Sequence, residues 1–151
     1  MKSHSAANGP LPQGIIEVCL CHHARKTARA VTRMFDEALA PSGLNANQFN
    51  ILIAISATQD ASAGRVARKL AMDRTTLSRN LKPLRRADLI ITGGGSGRRP
   101  DALLLTETGE ATLEKAIIHW QQAQTRMSKA LGTGHAGQLL TLMANAAEVA
   151  K

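Results

Sequence analysis

Residues 74 to 86 place cationic and hydroxyl side chains at the spacing of one helix face. Leu77, Leu81 and Leu84 recur at intervals of four and three, so they predict the buried side of that helix. The opposite side then carries Thr75, Ser78, Arg79, Lys82 and Arg86. Arginine can pair with guanine through two hydrogen bonds, and hydroxyls can reach base edges or phosphates. An ordinary surface helix usually includes glutamate, which this segment lacks, so the pattern favours a helix that enters the major groove of DNA.

The positive charge of the chain is concentrated around this helix. The formal net charge is +8, and residues 65 to 101 hold ten of the 19 Lys and Arg but three of the 11 Asp and Glu. A local excess of positive charge is typical of a protein that binds a polyanion, whereas a solvated surface normally mixes both signs.

A glycine-rich segment, "ITGGGSGRRPDALLLT" at residues 91 to 106, raises a second possibility. A loop that cradles a nucleotide phosphate needs a lysine and a hydroxyl, or its glycines, directly before a helix. Here Arg98, Arg99 and Pro100 follow the glycines, and a short apolar run of strand length comes next. The segment therefore predicts a hairpin loop whose arginines enter the minor groove or clamp phosphates.

The segment "CLCHHARK", residues 19 to 26, brings thiols and imidazoles together. Cys19 is three and four residues from His22 and His23, a helical spacing at which they can share a metal, but two ligands from one helix leave a zinc site half built. If both cysteines lie within a helix, Cys19 and Cys21 point to nearly opposite sides and cannot bond to each other within one chain. A disulfide between subunits would make them redox sensors. Small core cysteines and surface histidines are the alternative, and we assign no metal site.

Helical periodicity predicts a long first helix with one apolar stripe. The stripe consists of Leu20, Ala24, Ala28, Val31, Phe35 and Ala38. Pro41 and Gly43 end this helix, and Asn45 with Gln48 forms a capping box that begins a second helix. Residues 1–13 lack the apolar core of a secretory signal, so we do not interpret them as one. We expect them to form a flexible N-terminal tail.

Two further helices joined by a tight turn form a predicted helix-turn-helix. Ser62 begins the first of them, and Asp73 caps the second, which runs from Arg74 to about Ala87. Pro83 lies in the third turn of the second helix and removes a backbone donor, so we expect a kink or an early end there.

A hairpin and two more helices complete the predicted order of elements. The strands are residues 89–92 and 102–105, and Thr106 caps a long fifth helix that a Gly-Thr-Gly segment ends. The last helix is predicted over about 135–149. Its side chains expected to point inward are Leu139, Leu142, Met143 and Ala146.

The predicted fold class is therefore mainly α with a small β-hairpin wing. A winged helix-turn-helix lobe spans residues 44–105, and a helical dimerisation region comprises residues 14–42 and 106–151. A lobe of this size cannot cover the apolar stripes of the first and last helices, so we expect them to pack across a homodimer.

The chain resembles the MarR family of bacterial transcriptional regulators. The resemblance lies in "GRVARKLAMDRTTLSRNLKPLRRADLI" followed by "GRRPDALLLTETGEATL", and it extends from the first long helix to the last. It implies a winged-helix homodimer that binds a pseudo-palindromic operator, usually represses, and releases DNA in response to a small molecule or an oxidant.

The resemblance also implies roles for particular residues. Thr75, Thr76, Ser78, Arg79 and Lys82 match the recognition helix of the family. Arg99 matches its wing arginine, but Gly97 stands where the family usually has an aspartate that would orient this arginine. The complete set of predicted DNA-binding residues is Arg74, Thr75, Thr76, Ser78, Arg79, Lys82, Arg86, Arg98 and Arg99.

Effector pockets of the family lie between the dimerisation helices and the DNA-binding lobe. By that resemblance the candidate lining residues here are Phe35, Phe49, Ile53, His119 and Trp120. Each of these side chains also fits ordinary core packing.

Other functional classes fit the sequence less well. No nucleophile, base and orienting group form a recognisable set, so we expect no enzyme activity and no cofactor. No apolar run is long enough to span a bilayer, so we expect no membrane partner and a cytoplasmic location. The expected function is a sequence-specific DNA-binding transcriptional regulator released by a small-molecule effector. The alternatives are a regulator that responds to thiol oxidation or a metal through Cys19 and Cys21, and a nonspecific architectural DNA binder.

Overall fold

The computed structural model describes residues 14–93 and 100–150 of the chain. Seven α-helices, one 3-10 helix and one two-stranded sheet are found among the described residues. The helices are α1 (Ile15–Val18), α2 (Leu20–Leu39), α3 (Ala46–Ser56), α4 (Ala63–Lys69), α5 (Arg74–Arg86), α6 (Glu107–Leu131) and α7 (His135–Val149). The 3-10 helix is Ala40–Ser42, and the strands are β1 (Ile90–Thr92) and β2 (Leu103–Leu105). This mainly helical order with one hairpin confirms the predicted fold class.

Four helices begin at the predicted capping residues. Asn45 and Gln48 form the capping box, because each side chain accepts a hydrogen bond from the backbone N–H of the other residue at 2.9 Å. The side chains of Ser62, Asp73 and Thr106 likewise accept a backbone N–H three residues further on. Each of these helices therefore begins where a local hydrogen bond satisfies its first free amides.

The hairpin is antiparallel, and Ile90, Ile91 and Thr92 pair with Leu105, Leu104 and Leu103. Each strand begins one residue later than predicted. On the β2 side, Ala102 instead forms an isolated antiparallel bridge with Ser62, the residue that caps α4. The predicted hairpin is thus confirmed, and its second strand is also joined to the helix-turn-helix.

The hydrophobic core lies between α3, α4, α5, the hairpin and the first half of α6. Its fully buried large side chains include Leu39, Ile51, Leu52, Leu77, Leu84 and Ile90. Asp36 joins α2 to this lobe, since its carboxylate accepts the backbone N–H of Ala46 at 2.7 Å. The lobe that contains α3, α4, α5 and the hairpin is therefore packed against the long helices α2 and α6.

The N-terminal helix differs from the prediction because it is interrupted at Cys19. This residue has an extended backbone (φ −75°, ψ 109°) and caps α2, and its Sγ accepts the backbone N–H of His22 at 3.4 Å. The premise that Cys19 and Cys21 lie on one continuous helix is therefore wrong, since Cys19 precedes α2, whereas the absence of a bond between them within one chain stays a prediction.

The last helix also differs from the prediction. α7 has no buried residue, and Leu139, Leu142 and Met143 are exposed in the single chain. The predicted inward packing of these residues and Ala146 is wrong within the chain, because α7 packs there mainly against α6. No helix among the described residues is long and apolar enough to cross a membrane.

Candidate nucleic-acid interface

One face of α5 gathers most of the predicted DNA-binding residues at the protein surface. Leu77, Leu81 and Leu84 are buried and fix the helix against the core. The side chains that remain exposed are those of Arg74, Thr75, Thr76, Ser78, Arg79, Lys82 and Arg86. No acidic residue lies within α5, so this face presents hydrogen-bond donors and positive charge to a partner.

Thr76 differs from its neighbours because it is part of the helix cap. Its hydroxyl donates to Asp73 Oδ2 at 2.6 Å, and its backbone N–H donates to Asp73 Oδ1 at 2.8 Å. These two bonds, the side-chain bond first, lower the pKa of Asp73 below its ordinary value. The carboxylate at the start of α5 thus stays ionised, where it satisfies the helix N-terminus.

Pro83 lies inside α5, and the helix continues to Arg86. Of the two expected outcomes, the early end is therefore wrong and the kink stays a prediction, since Pro83 has no N–H to donate to the carbonyl of Arg79. Leu81 and Leu84 are buried on either side of Pro83 in the chain, so tertiary packing holds the helix through this position. Lys82 and Arg86 consequently lie on the same continuous helix as Arg79.

An open groove of about 790 Å³ runs along the surface where α4 packs against α5, and it is bordered by Asp101 near the start of β2. Its lining includes four arginines, Arg65, Arg68, Arg74 and Arg85, together with Ser62, Ser78, Asp60 and Asp101. The positive segment of the sequence includes Arg65, Arg68 and Arg85, for which residue type and spacing predict no individual role. Only the packing of α4 against α5 shows that they border the candidate interface.

One side-chain hydrogen bond that could not be predicted from the sequence joins the end of β1 to α5. Arg85 donates from Nη2 to the hydroxyl of Thr92 at 3.0 Å. Arg98 and Arg99, the predicted wing contacts, lie outside the described residues, as does Gly97.

The predicted effector-pocket residues lie where α2, α3 and α6 meet. Phe49 is buried, and its ring stacks on Trp120 with a centroid distance of 6.2 Å and an angle of 23°. Ile53 and Trp120 are half-buried and pack against the core, while Phe35 and His119 are also half-buried. The structure therefore brings Phe49 and Trp120 together across the junction of α3 and α6.

The thiols and imidazoles near the N-terminus form a loose surface group. Cys19 is half-buried, Cys21 is exposed, and both are free thiols. His23 Nε2 lies 3.0 Å from the carbonyl oxygen of Glu17, and the rings of His22 and His23 meet edge to face. Within residues 14–93 and 100–150, no three His, Cys, Asp or Glu residues are arranged to hold a metal ion.

The helix-turn-helix of α4 and α5, followed by the β1–β2 hairpin, defines a winged helix-turn-helix protein. A sequence profile of the MarR family matches residues 42–99. The chain is 31% identical to the Mycobacterium tuberculosis transcriptional regulator MosR, with a TM-score of 0.78 over 89% of this chain and 97% of MosR. This chain belongs to the MarR family of transcriptional regulators.

Two further solved structures show what such relatives bind. A structure of MosR in complex with DNA is 32% identical, with a TM-score of 0.73 over 88% of this chain and 98% of that one. The transcriptional repressor CouR, bound to p-coumaroyl-CoA, is 25% identical, with a TM-score of 0.80 over 91% of this chain and 97% of that one. No curated protein sequence matches the chain significantly.

Proposed function

We propose that this protein is a homodimeric repressor that binds a pseudo-palindromic DNA operator and releases it when a small-molecule effector binds. The observation that carries this proposal is the exposed face of α5, which combines cations and hydroxyls without an acidic residue. The DNA complex of MosR, a relative of similar fold, supports DNA as the partner.

The positions of the side chains around α5 suggest two kinds of DNA contact. At about 100° per residue, Thr75, Arg79, Lys82 and Arg86 lie opposite the buried leucines and would face the major groove. In this proposal Arg79 reads a base edge and Lys82 contacts a phosphate, because arginine offers a planar fork and lysine a point charge.

Other proposed contacts lie at the edges of this face. Arg74 and Ser78 border the groove toward α4, where backbone phosphates would pass. Thr76 would act mainly through the cap, since its hydroxyl already donates to Asp73. Arg98 and Arg99 would contact the minor groove or phosphates from the loop between β1 and β2.

The proposed dimer interface comprises the helical regions 14–42 and 106–151. Both regions expose large apolar side chains in the single chain, including Leu20 at 85%, Leu142 at 65% and Met143 at 56% relative exposure. A second copy would cover these side chains, because exposed apolar groups gain free energy when removed from water. Sedimentation of Leu142→Lys should show dissociation into folded monomers, and an unchanged dimer would contradict this interface.

The proposed effector site lies between the lobe and the dimerisation helices, near Phe35, Phe49, Ile53, His119 and Trp120. Phe49 on α3 stacks on Trp120 of α6, so a ligand that separated these rings would change how the lobe sits on the dimer. CouR, which was solved with p-coumaroyl-CoA, supports a small molecule as the class of effector.

Thiol oxidation is a second candidate for the release signal. Cys19 lies at the break between α1 and α2, outside the regular helix that would keep it apart from Cys21, and Cys21 is exposed. Loss of DNA binding under oxidant, with retention in Cys19→Ser, would support this alternative. Equal oxidant sensitivity of the variant would exclude Cys19.

DNA binding tests the proposal directly. The protein should bind the DNA upstream of its own gene roughly 10³-fold or more tightly than a scrambled duplex of equal length at one salt concentration. Equal and salt-sensitive binding to this duplex, to a scrambled duplex and to a set of genomic fragments would indicate a nonspecific architectural binder instead.

Paired lysine substitutions test the interface. Lys82 on α5 and Lys115 on α6 are both exposed, so Lys82→Ala and Lys115→Ala remove the same charge at different places. Lys82→Ala should weaken binding and reduce the dependence of affinity on salt by about one phosphate contact, whereas Lys115→Ala should leave both unchanged. Equal effects of the two variants would mean that net charge, rather than the α5 face, governs binding.

A further inference from the structure

Arg85 differs from Arg79, Lys82 and Arg86 in its direction around α5, and its side chain has a partner on the hairpin. It is separated from Arg86 by about 100° around the helix, so it lies on the flank of α5 rather than at the centre of the proposed DNA-binding face. There its guanidinium donates to the hydroxyl of Thr92 at 3.0 Å, and both side chains are exposed. The bond therefore joins the last turn of α5 to β1.

Thr92 is the last residue of β1 before the chain enters the hairpin loop. Its register partner is Leu103, and the next residue, Gly93, has a left-handed backbone (φ 111°) and donates its N–H to the carbonyl of Ala102 at 2.9 Å. Thr92 is thus the last residue of β1, and the bond from Gly93 continues the pairing of the two chain segments by one residue. A hydrogen bond to the Thr92 side chain therefore constrains β1 at the end that leads into the hairpin loop.

The second strand of the hairpin is attached at a different place. Ala102 forms the bridge to Ser62, and the N–H of Leu103 donates to the carbonyl of Ala61 at 2.8 Å. These backbone contacts hold β2 to the start of α4. The Arg85–Thr92 bond complements them by holding β1 to the end of α5.

We propose that Arg85 is a positioning residue that sets the orientation of the hairpin relative to α5 through its hydrogen bond to Thr92. This inference rests on the proposed function, because a fixed angle between hairpin and α5 matters when both engage one DNA duplex. Arginine suits this role, since its planar guanidinium stays charged and holds a defined direction. In this proposal the contribution of Arg85 to DNA binding comes from its contact with Thr92 rather than from its charge.

The test separates positioning from direct attraction of DNA by the Arg85 charge. Thr92→Val removes the hydroxyl acceptor, keeps a β-branched side chain in the strand and changes no charge. It should weaken operator binding about 3- to 10-fold, the range expected for loss of one hydrogen bond. It should also reduce the magnitude of the negative slope of log affinity against log salt concentration by about one, because a misoriented hairpin loses phosphate contacts.

Further variants check that the effect belongs to this pair. Thr92→Ser keeps the hydroxyl and should bind like the wild type, as should Thr108→Val, which alters an exposed threonine at the start of α6. In a double-mutant cycle, Thr92→Val should add nothing once Arg85→Ala is present. Thermal unfolding of each variant checks that the folded fraction is unchanged.

The possible outcomes are distinguishable. If Thr92→Val has the affinity and salt dependence of the wild type, the inference is overturned. A loss of affinity in Arg85→Ala alone would then mean that Arg85 acts through its charge. Additive effects of the two substitutions would overturn it as well. If the wild-type protein bound neither operator nor random DNA, the proposed function itself would be wrong and this inference with it.

Discussion

Gly109 is a residue at which adding a single methyl group should destabilise the fold. It lies in the first turn of α6, where a Cβ atom would come within 2.0 Å of the carbonyl oxygen of Leu89 and 2.9 Å of its carbonyl carbon. The same carbonyl accepts the N–H of Thr106 at 3.1 Å, and the Thr106 hydroxyl donates to the carbonyl of Asp88. The start of α6 is thus held directly against the segment that follows α5.

The expected cost of Gly109→Ala follows from this geometry. A carbon atom and a carbonyl oxygen normally approach to about 3.3 Å, so the backbone segments must separate by about 1.3 Å. This movement would break the two hydrogen bonds of Thr106, at about 1 kcal/mol each, and add about 1 to 3 kcal/mol of strain. Alanine ordinarily stabilises a helix by up to about 1 kcal/mol over glycine, so the net loss should be about 2 to 4 kcal/mol.

Urea unfolding followed by circular dichroism measures this change at one fixed protomer concentration, because the stability of a dimer depends on concentration. Gly64→Ala is the matched control, since a Cβ there would meet only the flexible end of Arg74, at 3.7 Å. The control should be unchanged or up to about 1 kcal/mol more stable. A Gly109→Ala protein as stable as the wild type would refute the reasoning, because α6 would then tolerate a side chain at its closest approach to Leu89.

Three other substitutions test separate parts of the fold. Because the Thr76 bonds lower the pKa of Asp73 in the folded protein, its ionised form adds stability above the ordinary carboxyl pKa, and this stability disappears as the pH falls through the lowered value. The melting temperature of Asp73→Asn should therefore lie below that of the wild type at neutral pH and converge with it in acid, whereas a constant difference would contradict the assignment. Phe49→Ala should lower the free energy of unfolding by about 3 to 5 kcal/mol in urea titrations, and a loss below about 1 kcal/mol would mean that its ring is not packed as described. Pro83→Ala should raise the free energy of unfolding by about 1 to 3 kcal/mol in the same assay, because it restores a helical amide, and a decrease would show that Pro83 fits α5 better than alanine does.

The hairpin strands and α5 are attached to the rest of the protein in different ways. The hairpin has three paired positions, its Ile90 and Leu103 side chains are buried in the core, and further contacts lie at Ala61, Ser62 and Arg85. In the proposed function, recognition depends on α5, a helix whose buried leucines fix it against the core. We therefore expect substitutions on the α5 face to change base preference, and substitutions at the hairpin base to change affinity more evenly across sequences.

Much of the fold was predictable from the sequence because the deciding interactions are local. The caps at Asn45, Ser62, Asp73 and Thr106 each join residues three apart, so residue type and spacing suffice to predict them. The leucine spacing in α5 likewise predicts which side is buried and, by difference, which side is exposed. The outline of the candidate DNA-binding face follows from these two patterns.

Tertiary structure alone decided the features that join distant segments. Nothing in the local sequence indicates that Arg85 meets Thr92, that Gly109 touches Leu89, or that Ala102 bridges to Ser62. Pro83 shows the same limit, because its local preference to end a helix was overcome by buried leucines on either side. These outcomes depend on how whole elements pack, and packing sums many contacts between residues that are far apart in the chain.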